Sequence, residues 1–297
     1  MKITVTGSLG HISKEIVTNL LQAGNHINVV TSSASRKEEI EQLGAHAFVG
    51  NVEDAAFIQD AFNGVDAVYL MIPPKWGVTD WLGYQKTVAD NYVNAIAANN
   101  INYVVVLSSV GAHMGTGAGP VDGLSYLEKA LTKLSDVNVL NLRPSYFFYN
   151  LHQQAGMIKQ AGIMGSNINE DHTMVLTHTS DIAEVAIAAL LNLDFKGQTV
   201  KYIASDERKL SEIASVLSTA VNKPGTPWIE FSDEQSFQGM LQAGLNDEMA
   251  NGYVAMGKAM RTKEMEADYW NNRPEKLGKV KLEDFAKEFA AGFNGAN

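Results

Sequence analysis

Along the first half of the chain, short apolar runs alternate with stretches of helical periodicity, the arrangement required by βαβ units building a parallel sheet. Strands are predicted at residues 3–6, 27–31, 45–49, 67–72, 103–107 and 137–142, with helices between them at 12–23, 37–43, 55–62, 81–98 and 123–134. The strand runs are apolar along their whole length and rich in Val and Ile, as burial on both faces demands. Six such strands joined by five crossovers predict an α/β fold with a doubly wound, Rossmann-type parallel sheet.

After Pro144 the alternation breaks down. A polar loop is expected over residues 162–172, a helix over 181–193 and a further short strand over 199–204, returning to the sheet. From Lys209 onward the pattern is mainly helical, with a Met-rich and aromatic stretch at 237–270. The expected organisation is a dinucleotide-binding domain over 1–150 and a smaller, mainly helical substrate or cap region over 151–297, within which 181–204 rejoins the first domain.

The chemistry sits at the joints of this pattern. The opening strand runs directly into Gly7, Ser8, Leu9, Gly10, His11, Ile12 and Ser13, followed by an amphipathic helix. In a dinucleotide site of this kind the first glycine permits the tight turn, the second lets backbone approach a pyrophosphate, and a small third residue lets helix and strand pack closely. The N–H groups at the helix start would then hold the phosphates. An ordinary glycine-rich βα turn has the same composition, but the strand before it and the helix after it favour dinucleotide binding.

The end of the second strand bears on which dinucleotide. An acidic residue there would hold a ribose 2′-hydroxyl; instead the chain reads Thr31, Ser32, Ser33, Ala34, Ser35, Arg36, Lys37. Hydroxyls followed by a guanidinium suit a 2′-phosphate, so NADP(H) is expected over NAD(H), with Ser32 and Arg36 as contacts. Surface Arg36 and Lys37 opening a helix would look alike. Asn51 and Val52, after the third strand, fall where an adenine edge lies in this fold, and Asp54 reads as a helix cap. Met71, Ile72 and Pro73 leave the fourth strand where the chain passes the nicotinamide ribose.

With these residues in view, the chain resembles the NmrA-like branch of the atypical short-chain dehydrogenase/reductases. The resemblance rests on residues 6–13, on Leu107, Ser108, Ser109, Val110 and Gly111, on Leu142, Arg143, Pro144, Phe147 and Asn150, and on Thr179, Ser180, Asp181, Ile182 and Ala183. It implies a Rossmann fold and an NADP(H) site that includes Ser108, in a family of quinone and azo-dye reductases, isoflavone-reductase-like enzymes and non-catalytic redox sensors. The superfamily's Tyr-x-x-x-Lys pair is missing: aligned on Glu128, its positions fall at Pro120 and Leu124. Tyr126 and Lys129, three residues apart, are the substitute acid–base candidates, against a reading in which the tyrosine packs and the lysine is solvated. Ser109 is placed to hydrogen-bond an acceptor carbonyl or the carboxamide of the cofactor, against a reading as a turn serine bonding its own backbone, and His113 just beyond is a candidate proton donor, against an inert loop histidine.

The aromatic run Tyr146, Phe147, Phe148, Tyr149 and the group Trp76, Trp81, Tyr84 offer flat rings either for an aromatic acceptor or for packing. Composition narrows the rest. There is no cysteine, which removes thiolate and iron–sulfur chemistry, and the histidines lack metal-binding spacing, so no metal is expected. A net charge of -10, from 23 basic and 33 acidic residues, argues against nucleic acid and anionic lipid as partners. No apolar run of membrane-spanning length or leader pattern is present, so a cytoplasmic setting is expected. The expected activity is NADPH-dependent hydride transfer to a small, flat acceptor such as a quinone. The alternative is a non-catalytic NADP(H)-binding sensor.

Overall fold

The computed structural model describes residues 1–295. In chain order the first elements are β1 (Lys2–Val5), α1 (Ser13–Gln22), β2 (His26–Thr31), α2 (Lys37–Gln42), β3 (His46–Val49), α3 (Ala55–Ala61), β4 (Ala67–Leu70), α4 (Trp81–Ala98), β5 (Tyr103–Leu107), α5 (Asp122–Leu131) and β6 (Asn138–Pro144). There follow β7 (Tyr146–Phe147), α6 (Gln154–Ala161), β8 (Met164–Ser166), β9 (Thr173–Thr177), α7 (Thr179–Asn192), β10 (Gln198–Ile203) and β11 (Asp206–Lys209). The last are α8 (Leu210–Ala220), β12 (Trp228–Glu230), α9 (Asp233–Gln242), α10 (Asp247–Arg261), α11 (Ala267–Asn271) and α12 (Leu282–Gly295).

Two compact units are built from these elements. The first holds Met1–Gly115, Val121–Arg143 and Ile182–Lys201; the second holds Thr116–Pro120, Pro144–Asp181 and the chain from Tyr202 onward. In the first, a seven-stranded sheet runs in the order β10, β6, β5, β4, β1, β2, β3, and the pairs β1–β2, β1–β4, β2–β3, β4–β5 and β5–β6 are all parallel. This is the doubly wound, Rossmann-like arrangement, in which the strand order reverses between β1 and β4.

The strands bury both faces. Ile3, Val5, Val29, Val68, Val104, Val105 and Val106 are fully buried, and α1 contributes Ile16, Val17 and Leu20 to the same core. Several polar groups in this core are paired: Asn28 Nδ2 donates to Thr4 Oγ1 at 3.2 Å, and Thr4 Oγ1 donates to the Ala61 carbonyl at 2.8 Å. On the helical layer, Phe62 stacks on Tyr92 with ring centroids 5.9 Å apart.

In the second unit, β11, β9 and β7 form one small sheet and β12 pairs in parallel with β8. The predicted loop at 162–172 therefore contains a strand, β8. Such short strands carry too few positions to display a period of two, and β7, β8, β9, β11 and β12 lack the strand–helix alternation that exposes the equally short β1, β3, β4 and β5. Phe285 and Phe289 of α12 are buried with Ile213 and Leu217 of α8, and Phe148 stacks on Phe285 at 5.2 Å. No described helix is long and apolar enough to cross a membrane.

Candidate functional site

The turn after β1 is shaped by contacts a side chain would break. Gly7 has φ +90°, and a Cβ there would stand 2.9 Å from Met71 Cε and 3.0 Å from Ser13 Oγ. At Gly10 a Cβ would stand 3.3 Å from the Gly7 carbonyl oxygen. Ser8 also takes a positive φ of 56°, held by its N–H on the Val30 carbonyl (3.0 Å) and its hydroxyl on Thr31 Oγ1 (3.0 Å). Ser13 Oγ donates to the Thr6 carbonyl at 3.1 Å, which fixes the start of α1 against the end of β1. Leu9 and Ile12 turn inward and are buried. Helix α1 begins without a side-chain cap from Ile12.

The neighbouring exit from β4 is stitched to this turn. Met71 N–H donates to Thr6 Oγ1 at 2.7 Å, Tyr92 Oη donates to the Met71 carbonyl at 3.0 Å, and Tyr84 Oη donates to the Pro73 carbonyl at 2.8 Å. Burial pushes the Tyr84 phenol up to about 12, with the Glu53 charge adding to the shift. Met71, Ile72 and Pro73 are thus held, half-buried, at the strand end where the sheet order reverses. Of the aromatic group that follows, Trp81 is buried and Trp76 is 61% exposed.

Beside the turn lies an open depression of about 570 Å³ lined in part by Leu9, Gly10, His11, Lys14 and Arg36, with the carboxylate of Glu15 on its wall. Arg36 Nη1 donates to the Leu9 carbonyl at 3.4 Å. Ser32 is exposed at the end of β2. Asn51 is engaged within its own turn, accepting from Glu53 N–H at 3.0 Å and donating to Glu53 Oε2 at 3.3 Å, while Asn91 Nδ2 holds the Val52 carbonyl. Asp54 caps α3 by accepting from Ala56 and Phe57 N–H.

At the end of β5 the two serines have different surroundings. Ser108 is buried and its hydroxyl donates to Glu128, whose carboxylate also receives Arg143 Nε (3.0 Å) and Nη2 (2.6 Å). Ser109 is half-buried, with its carbonyl accepting from Ala112 N–H at 3.2 Å. His113 is exposed.

Tyr126 and Lys129 are directed to different places. Tyr126 Oη donates to Asp90 Oδ1 on α4 at 2.9 Å, beneath the ammonium of Lys86, while Lys129 is exposed. The hydrogen bond to Asp90, with desolvation and the Asp90 charge adding to it, raises the Tyr126 pKa above the usual tyrosine value. In the second unit, Phe148 of the aromatic run is a core residue and Tyr149 is 51% exposed, packing edge-on against His152.

Sequence reasoning missed the roles of Lys14 and Asp90 and the pairing of Glu128 with Arg143. Lys14 is the second residue of α1 and reads as a surface lysine. Asp90 lies on the partly polar face of α4. The Glu128–Arg143 pair had a visible signal: charges at otherwise apolar positions of α5 and β6.

A family model described as NmrA-like matches residues 1–285. The chain belongs to the NmrA-like family. Among curated proteins, it is 23% identical to the NAD(P)H azoreductase of Xenophilus azovorans over 298 residues, covering 99% of this chain and 100% of that protein. Among solved structures, the Citrobacter sp. triphenylmethane reductase matches with a TM-score of 0.77 at 16% identity, over 98% of this chain and 100% of the other. The Escherichia coli NADPH-dependent quinone oxidoreductase, solved with NADPH, matches with a TM-score of 0.76 at 18% identity, over 96% and 99%. At these identities the structural matches establish a shared fold, which places this NmrA-like chain among Rossmann-type proteins.

Proposed function

We infer that this chain is an NADPH-dependent oxidoreductase acting on a small, flat, electron-poor acceptor such as a quinone. The observation that carries the reading is the turn at residues 7–13. A Cβ at Gly7 would sit 2.9 Å from Met71 Cε on a left-handed backbone and one at Gly10 3.3 Å from the Gly7 carbonyl oxygen, and α1 starts behind them without a side-chain cap from Ile12. Such a turn fits a pyrophosphate, because backbone N–H groups at a helix start and the helix dipole favour an anion there. Gly7, Ser8, Leu9, Gly10, His11 and Ile12 would hold the phosphates, Ser32 and Arg36 the adenosine end, and Met71, Ile72 and Pro73 the nicotinamide end. Asn51 and Val52 would offer backbone to the adenine, since the Asn51 amide is engaged with Glu53. Relatives named as azo-dye, triphenylmethane and quinone reductases support the class of acceptor.

The bound nicotinamide supplies a hydride. What this chain supplies is alignment of two flat rings and a hydroxyl, Ser109, at the end of β5 for an acceptor carbonyl. A quinone reduced by hydride takes its proton from water, so it does not need the missing tyrosine–lysine pair. Ser108, committed to Glu128, is assigned to holding the strand end in shape. The test is single-turnover oxidation of bound NADPH by a panel of quinones; rates no faster than in buffer for every acceptor would remove the reading.

A second reading, a sensor that binds NADP(H) without turnover, is motivated by the loss of the proton-transfer pair, whose positions hold Pro120 and Leu124, with the substitute candidate Tyr126 tied to Asp90. It requires a partner whose affinity differs between oxidised and reduced cofactor. Partner capture that is the same in both states excludes it.

A further inference from the structure

The depression beside the turn offers two cations, and one carboxylate already holds both. Lys14 Nζ lies 3.0 Å from Glu39 Oε1, and Arg36 Nη1 lies 3.5 Å from Glu39 Oε2. Glu39 sits in the first turn of α2, outside the residues that line the depression, and reaches its edge through Lys14 of α1 and Arg36 of the loop after β2, which do line it. The two cations hold the Glu39 carboxyl below the usual carboxylate range, chiefly through the hydrogen bond from Lys14. Glu39 is therefore bound to the same two cations that an entering anion would use.

Arg36 does not depend on Glu39 for its place, because its guanidinium also donates to the Leu9 carbonyl. The three side chains are 55%, 47% and 42% exposed for Lys14, Arg36 and Glu39, and ion pairs in such water-screened settings are individually weak. An incoming phosphate can displace them. It does so at the expense of the Glu39 pairings and beside the Glu39 carboxylate, and like charge nearby opposes it, most strongly at low salt.

We propose that Glu39 is the residue that sets selectivity between NADPH and NADH in this chain, by competing with the 2′-phosphate for Lys14 and Arg36. Glu39 lowers affinity for the phosphorylated dinucleotide and leaves the unphosphorylated one untouched. This rests on the reading that the turn binds a dinucleotide with its adenosine ribose toward Arg36. A carboxylate that merely oriented the two cations would have the opposite sign, because its removal would weaken NADPH.

The experiment is a calorimetric titration of NADPH and of NADH into the unmodified protein, Glu39→Gln, Arg36→Ala and Glu41→Gln. Glu41 pairs with Lys37 on the same helix, so Glu41→Gln makes the same change in net charge away from the Lys14–Arg36 cluster. Glu39→Gln is expected to tighten NADPH about three- to tenfold at low salt, with the gain shrinking as ionic strength rises. NADH affinity and the Glu41→Gln variant are expected to stay within about twofold of the parent. Unchanged or weaker NADPH binding in Glu39→Gln overturns the proposal, as does an equal gain for NADH or in Glu41→Gln. If NADPH binds but Arg36→Ala leaves it unaffected, the 2′-phosphate lies elsewhere and the proposal falls while the turn reading stands. If neither dinucleotide binds the parent protein, the cofactor reading fails and takes this one with it.

Discussion

Arg143 and Glu128 form a two-pronged ion pair inside the first unit, with Nε–Oε1 at 3.0 Å and Nη2–Oε2 at 2.6 Å, and side chains only 9% and 11% exposed. The pair joins the end of β6 to α5, and the Ser108 hydroxyl joins β5 to the same carboxylate. Removing one member leaves the other buried and uncompensated. Arg143→Ala is therefore expected to destabilise by about 3–5 kcal/mol, lowering Tm by on the order of 10 °C. The double change Glu128→Leu with Arg143→Met should be milder than either single removal, because no charge is then stranded. Thermal melts of the four proteins check this. Ser108→Ala should in turn lower Tm more than it alters dinucleotide affinity.

The turn itself is tested by Gly7→Ala. An alanine at φ +90° carries backbone strain of about 1–2 kcal/mol and forces Met71 to move. Fluorescence titration should find NADPH affinity reduced at least tenfold, roughly the consequence of 1.4 kcal/mol or more lost at the phosphate cradle. A variant that binds as tightly as the parent would move the pyrophosphate away from this turn.

Tyr126 is expected to be dispensable for turnover. Tyr126→Phe should leave single-turnover rates with a quinone within about twofold, since a hydroxyl held by Asp90 is a poor proton donor. Asp90→Asn removes the carboxylate that raises the phenol's pKa. Ultraviolet titration should then place one tyrosine lower on the pH axis than in the parent, and no movement would show that the pair is not formed in solution.

Asp181 is a structural residue rather than a site residue. It is buried and accepts from Ser205 Oγ at 2.6 Å, Lys279 N–H at 3.0 Å and Val280 N–H at 3.4 Å. Asp181→Ala leaves those donors without their acceptor, a loss of about 2–4 kcal/mol. Trypsin should then cut after Lys276 or Lys279 faster than in the parent, with dinucleotide affinity little changed.

Much of the first unit is legible in the sequence because its strands are buried on both faces and its helices are long enough to display their period. The helix expected at 81–98 is α4 to the residue, and the strands expected at 27–31 and 103–107 match β2 and β5 to within one residue. Legibility stops where elements shorten. Tyr146 and Phe147 form a two-residue strand and Phe148 turns into the core against Phe285, an arrangement set by tertiary packing and not by local pattern. At the candidate site, Gly7 and Gly10 are readable because their backbone requirement is local. The tie between Tyr126 and Asp90, 36 positions apart, is not, and neither is the convergence of Lys14, Arg36 and Glu39 from three elements.

The order of strands across the large sheet has a consequence for synthesis. β6 ends at Pro144, but the strand that flanks it, β10, begins only at Gln198. A nascent chain leaving the ribosome therefore carries an unpaired β6 edge, and its apolar Val139 and Leu142, until the later segment has emerged. Chains stalled before residue 198 are expected to recruit chaperones or aggregate, whereas chains stalled well past residue 203 should be able to close that edge. Protease sensitivity of such stalled chains would reveal when it closes.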